Sequence, residues 1–473
     1  MTKGERSTYC GVLKNAKLPD GSASNISRCV QPAERKISNY KTHDAHFMLH
    51  YLLPIPIKSI LPDHVAIPLI RLSSFFRRLC QKVITPEDLD CLQVEIRETV
   101  SQLERIFPPC FFDIMVHLAI HLPYELRLGG PVQGRWMYPP ERFMCRFKSY
   151  VRNKNHVEGS IAEAYLVEEC LNLCSRYLHG GVHTRYNRRS RNNDECGSTD
   201  AQTCSLFPNK GCPLGGKMGD PDELDDKSLN QAHRYILRNC EEIQDYVSRV
   251  LHDDVPDLIK QLSRGPSSIA KRYSGYLING YRFHVRQRDV RRKTQNSGIT
   301  LVALTTSFAS SKDKNPVDAN VTYYGRIIDI VELDYYGHFK VGLFKFDWYE
   351  AAEDTYGLTY VYFNKRCYQE EPFVQASQAH QCFYVQDPYD QDKHYVMKTV
   401  PRDLFSISDQ LESDAPHCYG DEPSEHSMAP SILNDNGEVV LVRSDVPETI
   451  IDVPLEGFLE QQTEIGSGDE FDV

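Results

Sequence analysis

Between residues 44 and 179 the apolar positions fall mostly at three- and four-residue steps, the period of a helix that buries one stripe. Leu89, Leu92, Val94, Ile96, Val100, Leu103 and Ile106 form the clearest stripe. Thr85 as N-cap and Pro86 at the first helical position mark its start, with acids in the first turn. "HDAHFMLHYLLPIPIKSIL" opens the region, and Pro54 and Pro56 are expected to break its first helix. "PPCFFDIMVHLAIHLPYELRL" predicts another helix, closed by the Gly129-Gly130-Pro131 turn. Two more helices follow. One spans residues 140–153, with Phe143, Phe147, Tyr150 and Val151 facing inward; the other starts at a Ser160/Glu163 capping box and runs to Leu178.

The pattern changes over residues 280–405. "VTYYGRIIDIVELDYYGHFKVGLFKFDWYE" reads as two or three strands with Tyr336-Gly337 as a hairpin turn, and similar short runs follow it. Strands this short, rich in Val, Tyr and Phe, predict a small barrel or curled sheet. The chain is therefore expected to be an α+β multidomain protein. Its parts are an N-terminal segment without periodicity (1–40), an all-helical domain (41–180), a linker with a short helix (181–279), a β-rich domain (280–405) and an acidic disordered tail (406–473).

The formal net charge of -11 argues against a general nucleic-acid binder, yet the average hides basic clusters. Arg142, Arg146, Lys148, Arg152 and Lys154 recur near helical spacing, Arg185, Arg188, Arg189 and Arg191 follow, and a third cluster lies at 282–293. A solvated face is the plainer reading of such a stripe, and phosphate contact is the rival. No apolar run approaches the roughly 18–20 residues needed to cross a bilayer, so no membrane partner is expected. "MTKGERSTYCGVL" lacks the apolar stretch of a secretory signal, and an intracellular chain is expected.

Fifteen cysteines read most simply as free thiols. Cys196, Cys204 and Cys212 are the best-spaced metal candidate, but no C-x-x-C pair supports zinc there. His46/His50 and His117/His121 share helix faces at i and i+4, which could chelate a metal; hydrogen-bonded core histidines are the plainer reading. Nucleophile-elbow and phosphate-loop motifs do not occur. Glu141 follows two prolines and heads a helix, where the dipole alone favours a carboxylate by roughly 0.3–1 kcal/mol.

"GPVQGRWMYPPERFMCRFKSYVRNKNHVEGSIAEAYLVEECLNLCSRYL" resembles a helical region of plant CACTA (En/Spm-type) transposon proteins, downstream of their transposase core. "GSASNISRCV", "KTHDAHFMLHYLLPIPI", "FPPCFFDIMVHLAIHL", "LFPNKGCPLGG" and "VMKTVPRDLF" resemble the same family in order, over roughly residues 11–405. The resemblance implies the downstream part of an Asp-Asp-Glu transposase of RNase H-like fold, whose two Mg²⁺ ions need several carboxylates. It implies that Glu141, with Arg142 and Lys148 after it, is the third acid or its relic, with Glu158 the next candidate.

The part of such proteins carrying both aspartates lies before "GSASNISRCV", where this chain offers only Asp20, with Asp44 further on. Whether the chain is an enzyme is thus left open, leaning towards none. The expectation is a transposon-derived, nuclear (or, if not imported, cytoplasmic) protein, non-catalytic alone, with no cofactor of its own. It would associate with DNA such as transposon ends, or with other transposase chains, through Arg142, Arg146, Lys148, Arg152, Lys154, Arg188 and Arg189. The alternatives are an Mg²⁺-dependent transposase or nuclease completed by an upstream half, and an interaction scaffold without DNA contact.

Overall fold

The computed structural model describes residues 1–20, 25–177, 206–207, 211–214, 221–240, 242–243, 255–307 and 317–401, all within the unit Met1–Pro416. The expected acidic tail, 406–473, lies outside the described residues.

Six antiparallel strands close into a barrel: β1 (Gly298–Ser307), β2 (Val317–Asp334), β3 (Lys340–Glu353), β4 (Thr359–Cys367), β5 (His380–Gln386) and β6 (Lys393–Lys398). Pairing runs β3-β4-β6-β5-β1-β2 and returns to β3. Closure gives each strand a neighbour on both sides, although β1 meets β5 only at Ile299 and Thr300. Tyr336 and Gly337 turn β2 into β3 with φ of 51° and 81°, and the His338 N–H donates to the Tyr335 carbonyl at 3.0 Å. Two positive φ values are what a type I′ hairpin requires, so the turn read from the sequence is the turn formed. Register shifts at Lys345/Phe346 and Tyr349/Ala351 bend β3, as bulges do. Tyr324, Tyr349, Val361, Cys382, Tyr384 and Val396 form one buried cluster, where the Tyr384 hydroxyl donates to the Gly325 carbonyl at 2.8 Å.

The β region starts before residue 280. Ile269–Tyr273 pairs with β2 and Pro221–Glu223 extends that sheet, while Gly275–Ile278 and Tyr281–His284 form a hairpin. Within the expected linker, the helix Asp226–Arg238 buries Ala232 and Ile236 in a core shared with Val331, Leu333 and Val341.

Residues 1–40 are not structureless, despite their lack of periodicity. Lys3–Asn15 is a helix started by a Thr2/Glu5 capping box. Its Cys10, Val12 and Leu13 join Phe47, Leu52 and Ile55 in one core with Phe383, Val385, Tyr395 and Met397 of the barrel. The first helices thus pack on the β domain, while Ile57 also meets Ala66 and Ile70 of the next helix.

The remaining helices have their own core. Asp63–Leu79, Pro86–Glu104 and Leu122–Gly129 contribute Phe75, Leu79, Leu89, Leu92, Ile96 and Leu126. Thr85 caps Pro86–Glu104 as the sequence predicts, its Oγ1 accepting from the Asp88 N–H at 3.2 Å. The hairpin that follows, Tyr138–Tyr150 and Val157–Arg176, departs from expectation. Phe143 and Met144 are 45% and 58% exposed, and no residue of the first helix is buried. Its apolar side chains meet chiefly the second helix, where the Phe147 and Tyr165 rings lie 6.0 Å apart. That second helix begins at Val157, ahead of the expected capping box; Ser160 Oγ instead accepts from the Asn153 N–H at 3.2 Å. No helix among the described residues is long and apolar enough to cross a membrane.

Candidate functional site

A cleft lies where the first helices meet the barrel. Its floor is built by a local conflict in the sequence. Pro54 has no N–H, and in an α-helix its ring would collide with the carbonyl four residues back. The chain resolves this by widening: after the helix Thr42–Phe47, Met48–Leu52 form a π-helical turn in which the Leu53 N–H donates to the Met48 carbonyl at 2.8 Å. Such turns commonly occur at functional sites. His46 and His50 stand on either side of that change, with ring centroids 4.0 Å apart. Beneath, Asp44 is fully buried, with His43 Nε2 3.0 Å from one carboxylate oxygen and the Lys41 N–H donating to the other at 3.1 Å.

The end of Asp63–Leu79 supplies a second wall through Arg77 and Cys80, the latter being the C-cap. Ser73 Oγ donates to the Leu49 carbonyl at 2.5 Å and fastens this helix to the π turn. Gln133 Nε2 donates to the Cys80 carbonyl, and Trp136 stands edge-on to His46 at 6.4 Å between ring centroids. Tyr324, Gly357–Thr359 and Val396–Pro401 form the barrel side. The cavity so enclosed is about 580 Å³.

The charge of this lining is one-sided. It holds Arg77, Lys82, Lys398 and three histidines, with the rings of Phe47, Tyr51, Trp136 and Tyr324, and among the described residues no Asp or Glu. Asp and Glu number 65 in the chain against 54 Lys and Arg, so the cleft runs against the protein's overall acidity. Burial, then the neighbouring charges of His46 and Arg77, push His50 down to about 3, and burial lowers His46. Both imidazoles are therefore neutral near pH 7. Burial pushes the Cys80 thiol up to about 11. The Arg77 guanidinium keeps its charge although burial lowers its pKa.

The residues singled out in the sequence lie elsewhere. Glu141 is exposed in the first turn of Tyr138–Tyr150, and Glu158 likewise heads Val157–Arg176. Asp20 sits beside the hairpin Tyr281–His284, its N–H donating to Asn296 Oδ1 at 2.7 Å and its carboxylate 3.6 Å from Arg282. Among the described residues the group of three or more His, Cys, Asp or Glu close enough to share an ion is His46, His50 and Cys80. Glu141 belongs to no such group, so the described residues do not make a two-Mg²⁺ site around it.

Of the basic stripe, Arg146 is paired with Glu168 and Arg142 is partly covered, while Lys148, Arg152 and Lys154 are exposed. Arg188, Arg189, Cys196 and Cys204 lie outside the described residues. Cys212 does lie among them, its Sγ 3.9 Å from the Pro213 carbonyl. His117 and His121 are exposed, with Nε2 atoms 3.3 Å apart, and are not the core histidines expected. Arg77, Cys80, Lys82, Trp136 and Lys398 were not legible as a site, because they come from separate segments; "RRLCQK" was the one local hint.

Two family profiles match the chain: a domain of unknown function (DUF4218) over residues 79–193 and a domain of unknown function (DUF4216) over residues 331–397. The first holds Cys80, Lys82 and Trp136, the second Gly357–Thr359, Val396 and Met397; His46, His50, Arg77, Tyr324 and Lys398 fall outside both. No curated protein and no solved structure matches. The chain thus carries two domains of unknown function, both typical of plant transposon-derived proteins.

Proposed function

We propose that this chain is a transposon-derived protein that associates with DNA through the cleft between its first helices and its barrel. On this reading its helical region descends from the downstream part of an RNase H-like CACTA transposase, and it works in the nucleus. The observation that carries the DNA reading is the lining: cations and aromatic rings, with no carboxylate among the described residues, in a chain of net charge -11. Lys82 and Lys398 are exposed at the rim, where they meet phosphates; Arg77 lies deeper. Trp136 and Tyr51 give faces on which bases stack, a contact worth about 1–3 kcal/mol per base and tolerant of sequence. A cavity of about 580 Å³ takes single-stranded or frayed ends rather than an intact duplex. Lys148, Arg152 and Lys154 extend the contact along the backbone.

The test is the salt dependence of binding to a labelled single-stranded oligonucleotide. Lys82→Glu and Lys398→Glu should each weaken affinity, and neutral variants should lower the salt slope by about 0.7 per lost phosphate contact. Affinity and slope unchanged in both variants would defeat the reading.

A second reading has its own observation. The hairpin exposes Met144, Leu166, Val167 and Leu173, each more than half accessible, which suits contact with another chain. Glu141 is exposed on that hairpin, and a partner bringing two aspartates would be needed before Mg²⁺ had a site there.

A further inference from the structure

His46 lies in the last turn of one helix, His50 in the π turn and Cys80 caps a second helix, yet one ligand atom from each lies within 4.8 Å of the others. His50 is 5% exposed, and its Nε2 has no hydrogen-bond partner among the described residues. Buried polar atoms are usually satisfied. Two further orphans, Trp136 Nε1 and Gln133 Oε1, line the same cleft.

We propose that His46, His50 and Cys80 bind one Zn²⁺ at the floor of the cleft, with the fourth coordination position open to it. Imidazole nitrogen and thiolate sulfur are zinc's ligands, and three protein ligands with one open position is a recurrent zinc arrangement. Mg²⁺ and Ca²⁺ are held chiefly by carboxylates, and among the described residues this lining has none. Bonds of about 2.0–2.3 Å set tetrahedral ligand atoms roughly 3.3–3.8 Å apart, so closure asks for side-chain movements of about 1 Å. The imidazoles bind in their neutral form; Cys80 gives its thiol proton to solvent as the Zn–S bond forms. Ser73 on the Leu49 carbonyl and Gln133 on the Cys80 carbonyl hold the two backbones that carry the ligands. Arg77 opposes the ion and the thiolate offsets that charge. The bound ion would fix the end of Asp63–Leu79 to the π turn.

This inference stands on ligand atoms and does not rest on DNA binding. The experiment is to strip the full chain with a chelator, titrate it with Co²⁺ and follow the absorption spectrum, then displace the cobalt with Zn²⁺. One Co²⁺ per chain should give tetrahedral ligand-field bands and a sulfur-to-cobalt charge-transfer band. Cys80→Ser, nearly isosteric and checked for folding by circular dichroism, should lose the charge-transfer band. His46→Gln should keep that band. Each should weaken Zn²⁺ binding by more than the roughly 10–100-fold that outer-shell changes cost. Folded wild-type chain without the charge-transfer band, or the band surviving in Cys80→Ser, would overturn the site.

Discussion

Lys58 Nζ stands 2.5 Å from Asp354 Oδ2, with the two side chains 7% and 10% exposed. The contact joins the helix Pro54–Ile60 to the β3–β4 turn, and Lys58 also donates to the Tyr395 hydroxyl. Asp354 Oδ1 accepts from the N–H groups of Tyr356 and Leu358 at 3.0 and 2.8 Å, so the carboxylate is well satisfied. Removing one member of such a pair strands the other charge away from water. Asp354→Ala should therefore cost about 3–5 kcal/mol. Lys58→Met combined with Asp354→Asn should cost clearly less than the sum of the single changes. Urea unfolding of the four proteins measures this, and strict additivity would mean that the pair is not coupled.

Gly298 opens β1 against β5. A Cβ built there would lie 2.3 Å from the Cys382 carbonyl oxygen, which is backbone and cannot swing aside. Gly298→Ala should then destabilise by about 1–3 kcal/mol or more. Gly337→Ala, in the β2–β3 turn at φ 81°, meets no atom within 4 Å and should cost only its backbone strain, about 1 kcal/mol. Thermal or denaturant unfolding ranks the two; the reverse order would contradict the closure described at β1.

His233 should make the packing of the helix Asp226–Arg238 depend on pH. Burial lowers its pKa below the ordinary 6.5, and its Nδ1 lies 3.1 Å from the Tyr335 hydroxyl. Its folded pKa lies below the unfolded one. The unfolded state therefore takes up a proton first as pH falls below about 6.5, and stability declines with it. His233→Gln should lessen the loss between pH 7 and 5. Unfolding curves at both pH values test this, and equal losses in the two proteins would exclude His233 as a source.

The cysteines should divide by burial. Cys382 is fully buried and its thiol is pushed up to about 12, whereas Cys91, Cys110 and Cys145 are exposed. Because the thiolate is the reacting form, iodoacetamide should label these, like the exposed Cys170 and Cys174, in the native chain and Cys382 only on unfolding. Mass mapping reads the outcome. Native labelling of Cys382 would mean that the barrel opens readily.

What the sequence made legible was local. The Thr85-Pro86 start and the Tyr336-Gly337 turn each depend on a few adjacent residues, and both are formed as read. The barrel followed from runs rich in Val, Tyr and Phe, although its strands are longer than read, 18 residues in Val317–Asp334 and 14 in Lys340–Glu353. The helix Lys3–Asn15 was missed because its support is distant: Leu13 and Phe47 share a core with Phe383. Ser160 was misjudged because a capping-box pattern does not say where the helix starts. For the cleft, the His46/His50 spacing was visible, but nothing in it pointed to Cys80, and Arg77 and Lys398 meet only through the fold.

Trp136 offers the most direct test that nucleic acid enters this cleft. The chain has two tryptophans, and Trp348 is 5% exposed in a core shared with Tyr276 and Phe283 of the hairpin, where it gives a steady background. Titrating the chain with a single-stranded oligonucleotide at low salt should quench Trp136 fluorescence saturably, and added salt should reverse the quenching. Binding detected by anisotropy with tryptophan emission unchanged would contradict the cleft and move the contact to another surface, such as the one carrying Lys148, Arg152 and Lys154.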